Sequence, residues 1–312
     1  MDRRSFITLS ALGSAGLMAG SCSPLVKEKE NNNESSAILK LSSQESRLPG
    51  DSLTEKLDFM EEHGFTGIEP HGGELAQRVD EFEKALQNRN IRISAVVAGF
   101  QGFLIAKDPK VRQQATDSIK VILEAAGALG SEGLIVVPAF NRQESLPHIE
   151  AREVLVEKLQ ELGAFAAQHN TRILLEPLNR REAWFLRLLA DAAAIAKDTE
   201  SEGVGVMGDF WHMTWEETSD LGAIISAGDY LHHMHIASRK NRRMPGEDEG
   251  DNYIDGFKGL KHINYQKFIS LECGTEGDPR ETIPAAARLM KMQWEEASIS
   301  LKPIQQDRHP QL

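Results

Sequence analysis

The chain has 312 residues, with 47 acidic and 35 basic side chains, a formal net charge of −12 and two cysteines. Such an acidic balance offers no counterion-releasing basic face, so nucleic acid is excluded as the expected partner. Cys22 and Cys273 are too few for a disulfide scaffold, and no stretch beyond the leader approaches the roughly 20 apolar residues that span a bilayer.

The first residues read as an address. Arg3-Arg4-Ser5-Phe6-Ile7 opens a modestly apolar stretch that resembles a twin-arginine (Tat) export signal peptide. It ends in Ala19-Gly20-Ser21-Cys22, which looks like a lipoprotein cleavage box with Cys22 lipidated. A weak Sec signal with a chance cysteine is the plainer alternative. Residues 23–36 form a polar tether that should stay disordered. The expectation is an exported domain, lipid-anchored at the cell envelope, with Ser23 leaning by analogy towards the outer membrane. The catalytic domain should span residues 37–300, followed by a tail at 301–312. A homo-oligomer is compatible with the sequence.

Beyond the tether come eight short apolar runs, near residues 37–42, 66–70, 91–98, 133–138, 171–177, 203–209, 231–237 and 267–273. Helix-like segments separate most of them: Leu53–Glu62, Leu75–Gln87, Val111–Ala128, Val154–Gln168, Trp184–Lys197 and Leu221–Ala227, with a last one at Thr282–Glu296. Several runs are apolar without alternation, as parallel strands buried on both faces should be. Strand then helix, eight times, predicts a single-domain α/β fold, the (β/α)8 TIM barrel. A doubly wound sheet would ordinarily carry G-x-G-x-x-G after its first strand, and none is present.

Four of the later runs end in side chains that bind cations. Glu176 follows Ile173-Leu-Leu, Asp209 closes Val204-Gly-Val-Met-Gly, His235 lies in Leu231-His-His-Met-His, and Glu272 follows Phe268-Ile-Ser-Leu. One carboxylate at a strand end is ordinarily a cap or surface group. Four such groups at the C-terminal rim of one barrel suit Mn²⁺, Co²⁺, Mg²⁺ or Zn²⁺. Strand alternation puts His233 and His235 on one face and His232 on the other, and His235 lies nearest the rim. Glu69 and His71, after the second run, either face the site or belong to the loop. Cys273 should be buried and inert.

In these residues the chain resembles the xylose-isomerase-like barrel superfamily, often labelled sugar phosphate isomerase/epimerase, and most closely the ketose 3-epimerases. The resemblance covers the mature domain in topology and residues 172–273 in motif. It implies that Glu176, Asp209, His235 and Glu272 bind one divalent metal, with Mn²⁺ foremost. It implies sugar contacts for Glu182, six positions after Glu176, and for His212, three after Asp209. An Arg six positions after the metal His completes the family's set. Here Arg242 and Arg243 fall seven and eight positions after His235, a one-residue insertion, and Arg242 is preferred. An acidic residue at the Glu69 position sometimes supports the family's pocket. Trp211, Trp184 and Phe100 are expected to cover the sugar.

The implied chemistry is epimerisation beside a carbonyl. The metal chelates the carbonyl oxygen and a neighbouring hydroxyl and stabilises the enediolate. Glu176 and Glu272 move the proton, and His212 and Arg242 hold oxygens whose charge grows. Export disfavours a phosphorylated substrate, so an unphosphorylated keto sugar is expected. A 3-keto-glycoside lyase is the alternative, in which proton loss at C2 expels the C1 substituent. A metal phosphodiesterase resembling apurinic endonucleases, or a non-catalytic sugar-binding lipoprotein, ranks below both.

Overall fold

The computed structural model describes residues 35–299. The leader motifs at Arg3, Arg4 and Cys22, nearly all of the tether and the tail at 301–312 lie outside them. Ser35 and Ser36, the last two tether positions, hydrogen-bond with Lys261, Asn264 and Gln266.

Among the described residues, nine parallel strand segments form one sheet: β1 (Lys40–Gln44), β2 (Gly67–Glu69), β3 (Arg92–Ile93), β4 (Val96–Val97), β5 (Leu134–Val136), β6 (Ile173–Leu175), β7 (Val204–Asp209), β8 (Leu231–Ile236) and β9 (Phe268–Leu271). β3 and β4 are two halves of the single run expected at 91–98. The first half pairs with β2 and the second with β5, and the sheet closes where β1 pairs with β9. Ser94, at the break, bonds to the Ser42 hydroxyl at 2.7 Å and donates to the Ile68 carbonyl. The result is the expected single-domain (β/α)8 barrel, with its third strand bent to turn the corner.

Among the described residues, nine α-helices surround it: α1 (Leu53–Glu62), α2 (Val79–Leu86), α3 (Pro109–Ala128), α4 (His148–Gln168), α5 (Leu189–Asp198), α6 (Phe210–Glu216), α7 (Asp220–Ala227), α8 (Ile254–His262) and α9 (Pro279–Glu296). Sequence chemistry sets their starts. Asp108 and Asp278 accept from backbone amides of the first turns of α3 and α9, each followed by proline at the first helical position. Most helices and the core lie where the pattern put them, with Leu57, Ile119, Leu155, Ile195 and Met290 fully or nearly buried beneath them. Gly163 of α4 and Gly203 before β7 meet backbone to backbone: a Cβ on Gly203 would stand 1.9 Å from the Gly163 carbonyl oxygen.

Two expectations are corrected, and two helices were not expected. The helix expected over Leu75–Gln87 is a 3-10 turn at Gly72–Gln77 followed by α2. The helix expected from Trp184 begins only at Leu189, because Leu178 donates to the Leu186 carbonyl and folds residues 178–186 into a closed loop. α6 and α8 were not expected: α6 is seven residues that follow β7 directly, and α8 buries Phe257 and Leu260 at helical spacing. Inside the barrel, Ala95, Ile135, Leu174 and Met207 form an apolar layer. The strands' C-terminal ends carry a polar site. None of the described helices is long and apolar enough to cross a membrane.

Candidate metal centre

The parallel barrel brings the C-terminal ends of β6, β7, β8 and β9 to one rim, and the predicted residues arrive with them. Glu176, Asp209, His235 and Glu272 each place one ligand atom within 4.8 Å of the others. All are buried except Glu272, whose side chain is 20% exposed and marks the open side. Asp209 also caps α6: one carboxylate oxygen accepts from the Trp211 amide at 2.8 Å, and the other is shared with Arg242. Two atoms facing this point, Glu176 Oε1 and His235 Nδ1, are buried and have no hydrogen-bond partner. A buried polar atom without a partner is costly. Three carboxylate oxygens and an imidazole nitrogen with a free lone pair suit a hard-to-borderline divalent cation, so the residues fit the expected metal.

The tautomer of His235 is set from behind. Its Nε2–H donates to Glu69, 3.0 Å from both carboxylate oxygens, which leaves Nδ1 3.0 Å from Glu272 Oε2. A carboxylate behind a ligating imidazole fixes the ring and raises its basicity. Glu69 is 1% exposed and also accepts from His233 Nε2–H at 2.8 Å and from the Gln44 side-chain amide Nε2 at 3.1 Å. Of the two readings left open for Glu69, this places it at the site, in contact with the imidazoles. The same Gln44 nitrogen donates to Glu272 at 3.1 Å and so ties this inner group to a rim carboxylate.

The charges are strongly coupled. Burial pushes the Glu176 carboxyl well above the usual carboxylate range, and the neighbouring Glu272 charge adds to this. Burial also raises Glu272, but His235 and Arg242 outweigh it and bring it down to about 2. For His235, burial favours the neutral ring, yet Glu69 and Glu272 on its two sides hold its pKa well above the ordinary value. Positive charge is therefore favoured beside Nδ1, as a ligated cation would supply.

Around this cluster stand the residues expected to contact sugar. Arg242 reaches Glu272 Oε2 at 2.6 Å and Asp209 Oδ2 at 3.2 Å. It adopts a left-handed φ of +55°, uncommon for a residue with a side chain. Arg243 turns away to pair with Glu276. Trp211 lies 4.5 Å from the Arg242 guanidinium, so its ring supports the arginine. His212 is buried, with Nε2 3.6 Å from Asp209 Oδ2. Its Nδ1 accepts from the Asn179 backbone amide at 3.1 Å, which puts the ring proton on Nε2. The Asn179 side chain lies 2.8 Å from the same Nδ1 and donates to Glu182 at 3.1 Å. Trp184 packs against His148 and Phe185, and Phe100 packs on the core. Cys273 is buried beside Met244, and burial raises its thiol pKa. Arg239 pairs with Asp220 and lies over Phe210 and Tyr253. Gln44 and Asn179 gave no signal in the sequence, because an amide at a strand end or loop start is commonplace.

Residues 57–293 match the family described as the xylose isomerase-like TIM barrel. The chain belongs to that family. It is 28% identical over 264 residues to the 3-dehydro-D-guloside 4-epimerase of Escherichia coli (strain K12), a match covering 82% of this chain and 98% of the relative. A D-psicose 3-epimerase from Enterocloster bolteae is 34% identical over 117 residues, 38% of each chain. The crystal structure of an apo 3-keto-D-glucoside 4-epimerase from Escherichia coli superposes with a TM-score of 0.75 at 26% identity, covering 82% of this chain and 100% of that one. These relatives are sugar epimerases. Sequence motif, fold and family agree.

Proposed function

We propose that this chain is a metal-dependent epimerase of an unphosphorylated keto sugar, and that its substrate is a 3-keto-glycoside. The observation that carries the reading is the convergence of Glu176, Asp209, His235 and Glu272 within 4.8 Å at the rim, in a chain matched over nearly the full length of a 3-dehydro-guloside epimerase. A bound Mn²⁺ or similar cation would polarise the sugar carbonyl and make the adjacent C–H more acidic.

The chain's own residues do the rest. Glu176 and Glu272 project from β6 and β9, with β7 and β8 between them, and so approach a bound sugar from different directions. One carboxylate takes the proton from the carbon beside the carbonyl, and the other returns a proton to the opposite face. His212, with its proton on Nε2, donates to a sugar oxygen that gains charge, and the Arg242 guanidinium does the same from the β8 side. Glu182 orients a hydroxyl. Asn179 holds His212 and Glu182 in place, and Glu69 holds His235.

The test is deuterium wash-in followed by NMR, with Mn²⁺-loaded protein in D₂O given 3-keto-glucosides and, separately, free ketohexoses. Deuterium beside the carbonyl together with a new epimer is the expected result. An unsaturated product with a released aglycone would replace the epimerase with the lyase. No exchange in either sugar set, with metal bound, would overturn the reading. The Arg3-Arg4 and Cys22 motifs support an exported, lipid-anchored setting for this activity.

A further inference from the structure

A cavity of about 460 Å³ opens from the metal cluster towards the β1, β2 and β4 side of the barrel mouth. Glu272 and Glu69 form its inner wall, and Ser46, Arg47, Lys56 and His71 are among the residues of its outer wall. The groups expected to hold the reacting sugar, Glu182 and His212, follow β6 and β7, across the mouth from this cavity.

The outer wall is rich in hydrogen-bond donors. Glu45, its nearest acid, is already held by Arg78 at 2.8 and 2.9 Å, with Lys56 at 3.6 Å. Arg47 is exposed and makes no ion pair among the described residues. His71 accepts the Gly73 amide on Nδ1, so its proton lies on Nε2. The two inner carboxylates are engaged internally by Gln44, His235 and Arg242. The cavity therefore offers a guanidinium, an ammonium, an imidazole N–H and a hydroxyl to a ligand rich in acceptor oxygens.

We propose that this cavity is the subsite for a second, polyhydroxylated sugar unit, so that the substrate is a glycoside with a sugar aglycone. The inference rests on the reading of the metal cluster as a keto-sugar site, and deepens it. Arg47 and His71 are its specificity residues, and neither touches the reacting carbon.

The experiment is calorimetric binding to the Mn²⁺-loaded full chain of two probes, the 3-keto forms of methyl glucoside and of a glucosyl-glucose disaccharide. The disaccharide should bind about tenfold or more tightly than the methyl glycoside, the scale of one hydrogen bond to a charged donor. Arg47→Ala and His71→Asn should each reduce that preference while leaving methyl-glycoside binding and the melting temperature unchanged. Equal binding of the two probes by the wild type, or equal weakening of both by the substitutions, overturns the subsite alone. Failure of both probes to bind, with the metal in place, overturns the keto-sugar reading and the subsite with it.

Discussion

Glu69 and His235 are separated by 166 positions in the chain, yet the imidazole Nε2 lies 3.0 Å from both oxygens of the carboxylate. That contact decides which nitrogen faces the cluster. Glu69→Gln keeps an acceptor but removes the charge, so the ring should remain in place while its basicity falls. Mn²⁺ affinity is expected to drop about 10–100-fold, the usual cost of losing a partner behind a metal-ligating histidine. Calorimetric titration reads this directly, and unchanged affinity would remove Glu69 from the metal centre.

The four-group cluster also predicts opposite effects of one substitution with and without metal. Glu176 is buried beside Glu272 and Asp209, and its pKa is raised well above the ordinary value. A raised carboxylate pKa means that stability is lost as pH rises through it, so at neutral pH Glu176 opposes folding of the metal-free protein. Glu176→Gln should raise the melting temperature in chelator. It should lower it in saturating Mn²⁺, where ligand binding adds about 4 kcal/mol at a thousandfold excess over Kd. Deuterium wash-in should fall by at least about 100-fold in both Glu176→Gln and Glu272→Gln. Full exchange activity in the two variants would contradict the proposed proton carriers.

Asn179 positions two groups at once, through its backbone amide on His212 Nδ1 and its side chain on Glu182. Asn179→Ala keeps the backbone bond, so the His212 tautomer should persist while Glu182 loses its anchor. An increase in KM of about 10-fold, the scale of one charge-assisted hydrogen bond, is expected without a change in Mn²⁺ affinity. Nitrogen NMR of His212 should show an unprotonated Nδ1 in both proteins. A protonated Nδ1 in the wild type would reverse the assigned donor.

At the opposite, N-terminal end of the barrel, Glu132 gathers His232 at 2.7 Å, Lys267 at 2.9 Å and Arg172 at 3.2 Å. Burial raises its pKa, but the His232 and Lys267 hydrogen bonds outweigh that and bring it from 4.5 to about 2. A depressed carboxylate pKa contributes stability above its unfolded value, lost as pH falls from about 4.5 through about 2. Glu132→Gln should therefore cost at most about 3 kcal/mol at neutral pH, and the difference should vanish near the bottom of that window. Urea melts across pH measure it. A constant difference at every pH would mean that the charge plays no part.

The proposed ligands were legible in the sequence because a parallel barrel sends every strand's C-terminal end to the same rim. To be the residue that ends an apolar run is then to be at the site, and Glu176, Asp209 and Glu272 needed no further information. Alternation along β8 separated His233 and His235 from His232, which turns outward to Glu132. Local capping chemistry likewise marked α3 and α9. Only tertiary structure could decide what stands behind those ligands. Gln44 and Glu272 meet across 228 positions, and Glu69 meets two histidines, through side-chain directions and strand neighbours that no local pattern encodes. The choice of Arg242 over Arg243 depended on a left-handed backbone turn and on a guanidinium drawn to two carboxylates. Period and strand ends fix where a side chain emerges, and packing across the barrel fixes what it touches.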